Sequence, residues 1–417
     1  MNRGTLVVGA SQAGVELAVA MRRLGDTAPI TLAGAEPAPP YERPPLSKAY
    51  LAGTVDQASL SLRAPQFFAE RRIDVVSGCR VARIESTPDA AAGAGLARTV
   101  DGRVFPFDRL ALTVGARARR LVVPGADLRG VHYLRTVADA MRLRRHLDAA
   151  RRVVVIGGGF IGLEVASVAR TLGKDVTVVE AAGRLMARSV APAVSAFYHD
   201  AHRRRGVEMC LGVGVVALHG QDGRIVAVEL ADGRRLPADL VIVGVGIVPR
   251  TGLAAQLGLA CEGGIIVDAH ARTSDPSIVA AGDCTVSPHP LTGAGRYRLE
   301  SVPHATAQAR IAAATLLGLS APPPDVPWFW SDQYDLKLQI AGLSDGYDQC
   351  VVRGASADSI SVLYYRDGVL LAVNAVNRVA DYFDVRRALA RGATIPAQRA
   401  SDPDIRLSTL TIDPADA

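Results

Sequence analysis

Apolar residues recur along this chain in short, nearly unbroken blocks followed by glycine. Thr5-Leu-Val-Val8 runs into Gly9, and Val153-Val-Val-Ile156 runs into Gly157. Each block reads as a strand, and the glycine after it as a tight turn. An alanine-rich pattern with helical spacing follows each turn and ends near Gly25 or Gly173. A second strand comes next, Ile30–Ala33 or Val176–Val179. The pattern therefore predicts two β-α-β units in one chain.

The later parts of the two copies also correspond. Asp101-Gly102 and Asp232-Gly233 each separate strand-like segments and read as hairpin turns. After each comes a buried strand that starts behind an aspartate, Asp108 to Gly115 and Asp239 to Gly246. The expected fold class is α/β, with two Rossmann-like dinucleotide-binding domains and a small α+β C-terminal domain. The second copy reads as an insertion in the first, because a further cofactor-type motif at Asp283 follows it. The expected boundaries are 1–115 and 244–321 for the first domain, 116–243 for the inserted one and 322–417 for the last. The last begins at the proline-rich linker Ala321-Pro-Pro-Pro-Asp325. It holds alternating segments, a hairpin at Asp367-Gly368 and a helix over roughly Tyr382–Arg391, and its tail after Pro396 is expected to be loosely held.

The glycine turns carry the first chemistry. Gly157, Gly159 and Gly162 complete a G-x-G-x-x-G turn between a strand and a helix, which lets a pyrophosphate approach the helix N-terminus. Phe160 and Ile161 in that turn and Gly246 further on are counted with the same site. Glu180 closes the next strand, where a carboxylate accepts a hydrogen bond from a ribose 2′-hydroxyl and repels a 2′-phosphate, so NADH is the expected ligand. Arg184 is the counterweight, since an arginine there can serve a 2′-phosphate. The first turn keeps Gly9 and Gly14 but has Ser11 in the middle, and Glu36 is its expected ribose partner.

Net charge is +6, with the basic residues scattered, which fits an acidic partner or an anionic cofactor better than nucleic acid. The five cysteines are far apart and none shows the spacing of a redox dithiol. No metal site, membrane span or signal peptide is expected, and the protein reads as cytoplasmic.

Pro40-Tyr-Glu-Arg-Pro-Pro-Leu-Ser-Lys48 resembles the flavin-edge segment of FAD-dependent ferredoxin reductases of the rhodocoxin and putidaredoxin reductase type. The resemblance runs along essentially the whole chain, through Gly157–Glu164, Ala280-Ala-Gly-Asp283, Leu299-Glu-Ser-Val302 and Val326-Pro-Trp-Phe-Trp-Ser-Asp332. It implies FAD in the first domain and NADH in the second. It also implies hydride transfer to FAD and single electrons to an acidic 2Fe–2S ferredoxin that serves a bacterial monooxygenase or ring-hydroxylating dioxygenase. By resemblance Lys48 and Glu164 form a charge pair beside the flavin, Trp330 covers its ring, and Arg43 and Pro44 lie along it. Thr113, Gly115, Asp283 and Val302 complete the FAD contacts. The alternatives are a surface position for Lys48, a helix N-cap role for Asp283 and core packing for Trp330.

The chain departs from the family at Ser11, Ala35, Thr113-Val-Gly115, Pro303 and His304, all near expected FAD contacts. Arg310 and Lys337 are candidate docking residues for the ferredoxin, and a monomer is expected. An NADH oxidase or rubredoxin reductase is the alternative within enzymes. A flavoprotein like apoptosis-inducing factor, with mainly a binding role, is the alternative outside them.

Overall fold

The computed structural model describes residues 3–86, 94–289, 295–323 and 325–414. The chain groups into two compact units. The first comprises Met1–Glu42, Gln57–Arg117 and Ile247–Asp325, and the second Arg43–Asp56, Ala118–Gly246 and Val326–Ala417.

The first unit is built on a five-stranded parallel sheet in the spatial order Ile278–Ala280, Arg109–Leu112, Thr5–Val8, Ile30–Ala33, Ile73–Val76. Its central strand is buried on both faces, as a parallel strand covered by helices must be. The helix Gln12–Arg23 packs against the helix Val302–Leu316, both through alanine-rich faces that allow close approach. An antiparallel meander, Val81–Ser86, Gly95–Thr99 and Val104–Phe107, precedes the Asp108 strand.

The second unit repeats this plan. Its parallel sheet runs Glu208–Leu211, Asp175–Glu180, Arg152–Ile156, Leu240–Val243, Val131–Tyr133. The edge strand that comes late in the chain in the first unit, Ile278–Ala280, comes early in this one, Val131–Tyr133. The paired aspartates have matching tasks. The Asp108 carboxylate accepts from the backbone N–H of Gly4, and that of Asp239 from the N–H of Arg152, so each fastens the start of the central strand.

The same unit contains a five-stranded antiparallel sheet, Trp328–Gln333, Leu336–Gly342, Val369–Val376, Ile360–Arg366 and Gln349–Arg353 in spatial order. The helix beside it is Val379–Ala390, starting three residues earlier than expected and ending one residue earlier. Of the expected linker, residue 324 lies outside the described residues. The expectation of a loose tail after Pro396 is wrong for the described part. Ala400 and Leu407 are fully buried. Arg353, itself buried, donates to the carbonyls of Ala400, Asp402 and Ile405, which satisfies backbone groups that a packed irregular segment would otherwise leave unpaired.

Candidate active site

In the first unit Gly9 follows the central strand with φ +121°, and a Cβ there would lie 2.2 Å from the Thr113 carbonyl oxygen. The Thr113 hydroxyl donates to the Gly9 carbonyl at 2.8 Å, so its role in the chain is to lock the turn to the neighbouring strand. Ser11 is the N-cap of the following helix, with φ −130°. That is ordinary extended backbone, so serine costs the turn nothing in conformation. Glu36 accepts a 2.6 Å hydrogen bond from the Tyr41 hydroxyl, which orients its carboxylate.

A second helix N-terminus meets the first there. Ser301 caps the helix Val302–Leu316 by accepting from the His304 N–H. Val302 and Pro303 are its first two residues, where a missing N–H costs nothing. Gly282 fits between the two helices: a Cβ on it would stand 3.1 Å from that of Ala13 and 3.6 Å from that of Ala305. The Gln308 side-chain oxygen accepts from the Gly282 N–H, which fixes the turn that carries Asp283. Asp283 leads into the strand Thr285–Pro288. Loss of hydration pushes the His304 pKa down to about 4 although the Asp283 carboxylate pulls it up, so this imidazole is neutral at pH 7. Gly115 lies just beyond the end of the neighbouring strand, with φ +60°.

The second unit has the same turn with the middle glycine present. A Cβ on Gly159 would meet no atom within 4 Å. Glu180 reaches back across the turn: its carboxylate accepts from the N–H of Gly158 at 2.6 Å and of Ala182 at 2.8 Å. Arg184 is turned to its own loop, donating to the carbonyls of Ala187 and Val190 and to the Ser195 hydroxyl. Phe160 packs its ring 4.7 Å from that of Phe329, while Ile161 is exposed. Gly246 has φ +97°, and its carbonyl accepts from the Arg119 N–H.

A buried charge pair lies in this unit. Lys48 Nζ is 2.8 Å from Glu164 Oε2, with the lysine side chain 18% exposed and the glutamate 1%. A carboxylate so deep needs several donors, because desolvation otherwise outweighs a single ion pair. It has them: Ser47 Oγ donates to Oε2 at 2.5 Å and Ser331 Oγ to Oε1 at 2.7 Å. Sequence reasoning missed both serines, although each sits inside a motif it had singled out. Arg43 donates to the Arg135 carbonyl, and Pro44 opens the short 3-10 helix Pro44–Ser47. Trp330 alternates with buried Ser331 along its strand and is only partly covered, its ring 5.5 Å from that of Trp328.

Two helix N-termini at one glycine turn, and a complete glycine turn with a ribose-type acid, are the marks of two dinucleotide sites. The pyridine nucleotide-disulphide oxidoreductase profile matches residues 4–309, and the reductase C-terminal profile matches residues 328–411. The chain belongs to the pyridine nucleotide-disulphide oxidoreductase family. Within it, the chain is similar to rhodocoxin reductase of Rhodococcus erythropolis, at 45% identity over 96% of this chain and 93% of that one. It is 42% identical to a ferredoxin–NAD(P)+ reductase of a Sphingomonas species over 98% of each. Its fold matches that of putidaredoxin reductase in a covalent complex with putidaredoxin, with TM-score 0.92 and 39% identity over 98% of this chain and 97% of that one.

The residues of this member fit its family's cofactors. The open space above Gly159 and the two helix N-terminal turns that flank Gly282 suit anionic pyrophosphates. All five cysteines are free, with Cys79, Cys210 and Cys284 buried and Cys261 and Cys350 exposed. Burial pushes the Cys284 thiol up to about 12, so it is not a nucleophile. Of the docking candidates, Lys337 is exposed, whereas Arg310 donates to buried Glu16 at 2.7 Å. Among the described residues no helix is long and apolar enough to cross a membrane.

Proposed function

We propose that the chain is an NADH-dependent ferredoxin reductase. The observation that carries this reading is the buried Lys48–Glu164 pair in a chain whose two glycine turns each have a ribose-type acid. Bound FAD supplies the chemistry, taking hydride from NADH and releasing electrons singly. The first turn, with Gly9, Ser11, Gly14, Glu36, Thr113, Gly115, Asp283 and Val302, holds FAD. The second, with Gly157 to Gly162, Glu180 and Gly246, holds NADH. Lys48 and Glu164 set the field at the reactive ring, and Arg43, Pro44 and Trp330 contact it. Glu180 favours NADH because a carboxylate already fastened to Gly158 cannot swing away from a 2′-phosphate. The bonds that hold Arg184 to its loop leave it little reach toward one.

The domain reading that goes with this is FAD-binding 1–115 and 244–321, NAD-binding 116–243 and C-terminal 322–417. The partner is a 2Fe–2S ferredoxin of acidic surface, consistent with the net charge of +6. Lys337 is the better docking candidate, since the Arg310 charge is partly spent on Glu16. The protein works as a cytoplasmic monomer and supplies a monooxygenase or ring-hydroxylating dioxygenase.

The test is an absorbance spectrum followed by anaerobic titration with NADH. A flavin band that bleaches with about one NADH per chain, and much less readily with NADPH, is expected. Protein that cannot be reconstituted with FAD would overturn the reading.

A further inference from the structure

The Glu164 carboxylate is the end of a longer polar chain. Ser331 Oγ, which donates to it, lies 3.3 Å from the Gln333 amide nitrogen. The Gln333 amide oxygen lies 2.8 Å from His202 Nε2, and His202 Nδ1 lies 3.5 Å from the Tyr334 hydroxyl. Glu164, Ser331, Gln333 and His202 are all essentially fully buried. They come from three elements of the second unit: the helix Phe160–Thr171, the helix Pro192–Arg204 and the strand Trp328–Gln333.

The direction of every link follows from the carboxylate, which only accepts. Ser331 must spend its one proton on Glu164, so its oxygen accepts from Gln333. The Gln333 NH2 therefore faces Ser331, and its carbonyl faces His202. That makes Nε2 the protonated nitrogen of His202 and Nδ1 the acceptor. The groups facing this imidazole are Gln333, Tyr334 and the Arg205 guanidinium. Burial pushes its pKa down to about 4, Arg205 lowers it further, and the Gln333 contact acts in the opposite sense, so it is neutral at pH 7. An amide does not relay protons as a hydroxyl or imidazole does, so the chain conveys orientation.

The geometry points to Ser331, Gln333 and His202 as positioning residues that hold Glu164 Oε1, leaving Oε2 turned to Lys48. This rests on the proposed function, in which Lys48 and Glu164 act on the bound flavin.

Histidine-selective 15N NMR of the FAD-loaded protein tests the chain without relying on turnover. The wild type is expected to show His202 as the Nε2–H tautomer. In Glu164→Gln the new amide must turn its oxygen to Lys48, which only donates, and its NH2 to Ser331. Every link then reverses, and His202 is expected to become the Nδ1–H tautomer. An Nδ1–H wild type, or an unchanged tautomer in the variant, overturns the chain. In stopped-flow reduction by NADH, Ser331→Ala is expected to lose about tenfold in rate with KM unchanged, the scale of one hydrogen bond to a charged group. Gln333→Met, which breaks the chain one link further away, is expected to lose less in the same direction. A Ser331→Ala protein that keeps its flavin and its wild-type rate overturns the positioning role. Wild-type flavin that NADH fails to bleach overturns the proposed function but leaves the tautomer result readable.

Discussion

Gly9 and Gly157 open the two glycine turns with φ of +121° and +113°, and a Cβ on either would lie 2.2 Å or 2.4 Å from a carbonyl oxygen of the adjacent strand end. Gly14 and Gly162 close the turns, and a Cβ on either would lie 2.0 Å from the carbonyl oxygen of the first glycine. The outer glycines are thus demanded by the protein itself, in the same way twice. The middle position differs. Gly159 has extended backbone at φ −82° and open space around a would-be Cβ, and Ser11 has extended backbone at φ −130°. Nothing among the described residues requires glycine at the middle, so under the proposed function any requirement there comes from what binds. Under the proposed function, the turn with serine and the turn with glycine are one scaffold facing two different ligands, FAD and NADH.

The strongest way to break this equivalence is at the closing glycines. Gly14→Ala and Gly162→Ala should each destabilise by on the order of 3 kcal/mol or more, since backbone must move to admit the methyl. Denaturant unfolding of the flavin-free proteins measures both. A loss in one turn without the other would show that the two scaffolds are not built alike.

Acid should separate the halves next. In the second, burial lowers His132 to about 4, helped by His146 and Arg142 and opposed by Asp139, and burial lowers His202 to about 4 as well. Their unfolded values are about 6.5. Both are neutral when folded and gain protons on unfolding, so stability is full above about pH 6.5 and falls as pH drops toward 4. The first half has half-buried His304 in this state. Hydrogen exchange between pH 7 and 4.5 should therefore show protection lost first in the sheet of the second half. Earlier loss in the first half would refute the ordering.

Glu180→Ala should raise the KM for NADH and improve NADPH relative to NADH by about tenfold, a difference of about 1.4 kcal/mol. It also removes the acceptor for the Gly158 and Ala182 N–H groups, so a matching mutation in the first turn sharpens the contrast. Glu36 holds Tyr41, and Glu36→Ala should lower flavin content without altering the nucleotide ratio. An unchanged NADPH to NADH ratio in Glu180→Ala removes Glu180 from the ribose assignment.

The parallel sheets and both turns were legible in the sequence because buried parallel strands write continuous apolar blocks and the outer glycines are local steric needs. Lys48 and Glu164 were found through motif resemblance. Ser47, Ser331, Gln333 and His202 were not, because what joins them is contact between elements far apart in sequence, and a buried serine looks like any other. The packed tail was missed for a related reason: its anchor, Arg353, lies 47 residues before the Ala400 carbonyl it binds. Polar composition signals a loose end only when no distant side chain satisfies the backbone.

The smallest effect belongs to the middle positions. Gly159→Ala should leave stability within about 1 kcal/mol, because a methyl at φ −82° in open space disturbs no protein atom. It should still weaken NADH, because that space is where the pyrophosphate would approach the backbone. Ser11→Gly is the mirror image. It should cost about 0.5 kcal/mol from the added freedom of the unfolded chain. Flavin content and the rate of flavin loss should match the wild type, since a serine in this conformation leaves the helix N-terminus intact. Absorbance of the purified variant and a flavin-release time course measure both quantities. Clearly tighter flavin in Ser11→Gly would mean that the side chain crowds the ligand after all, and that the first turn is a compromised copy of the second.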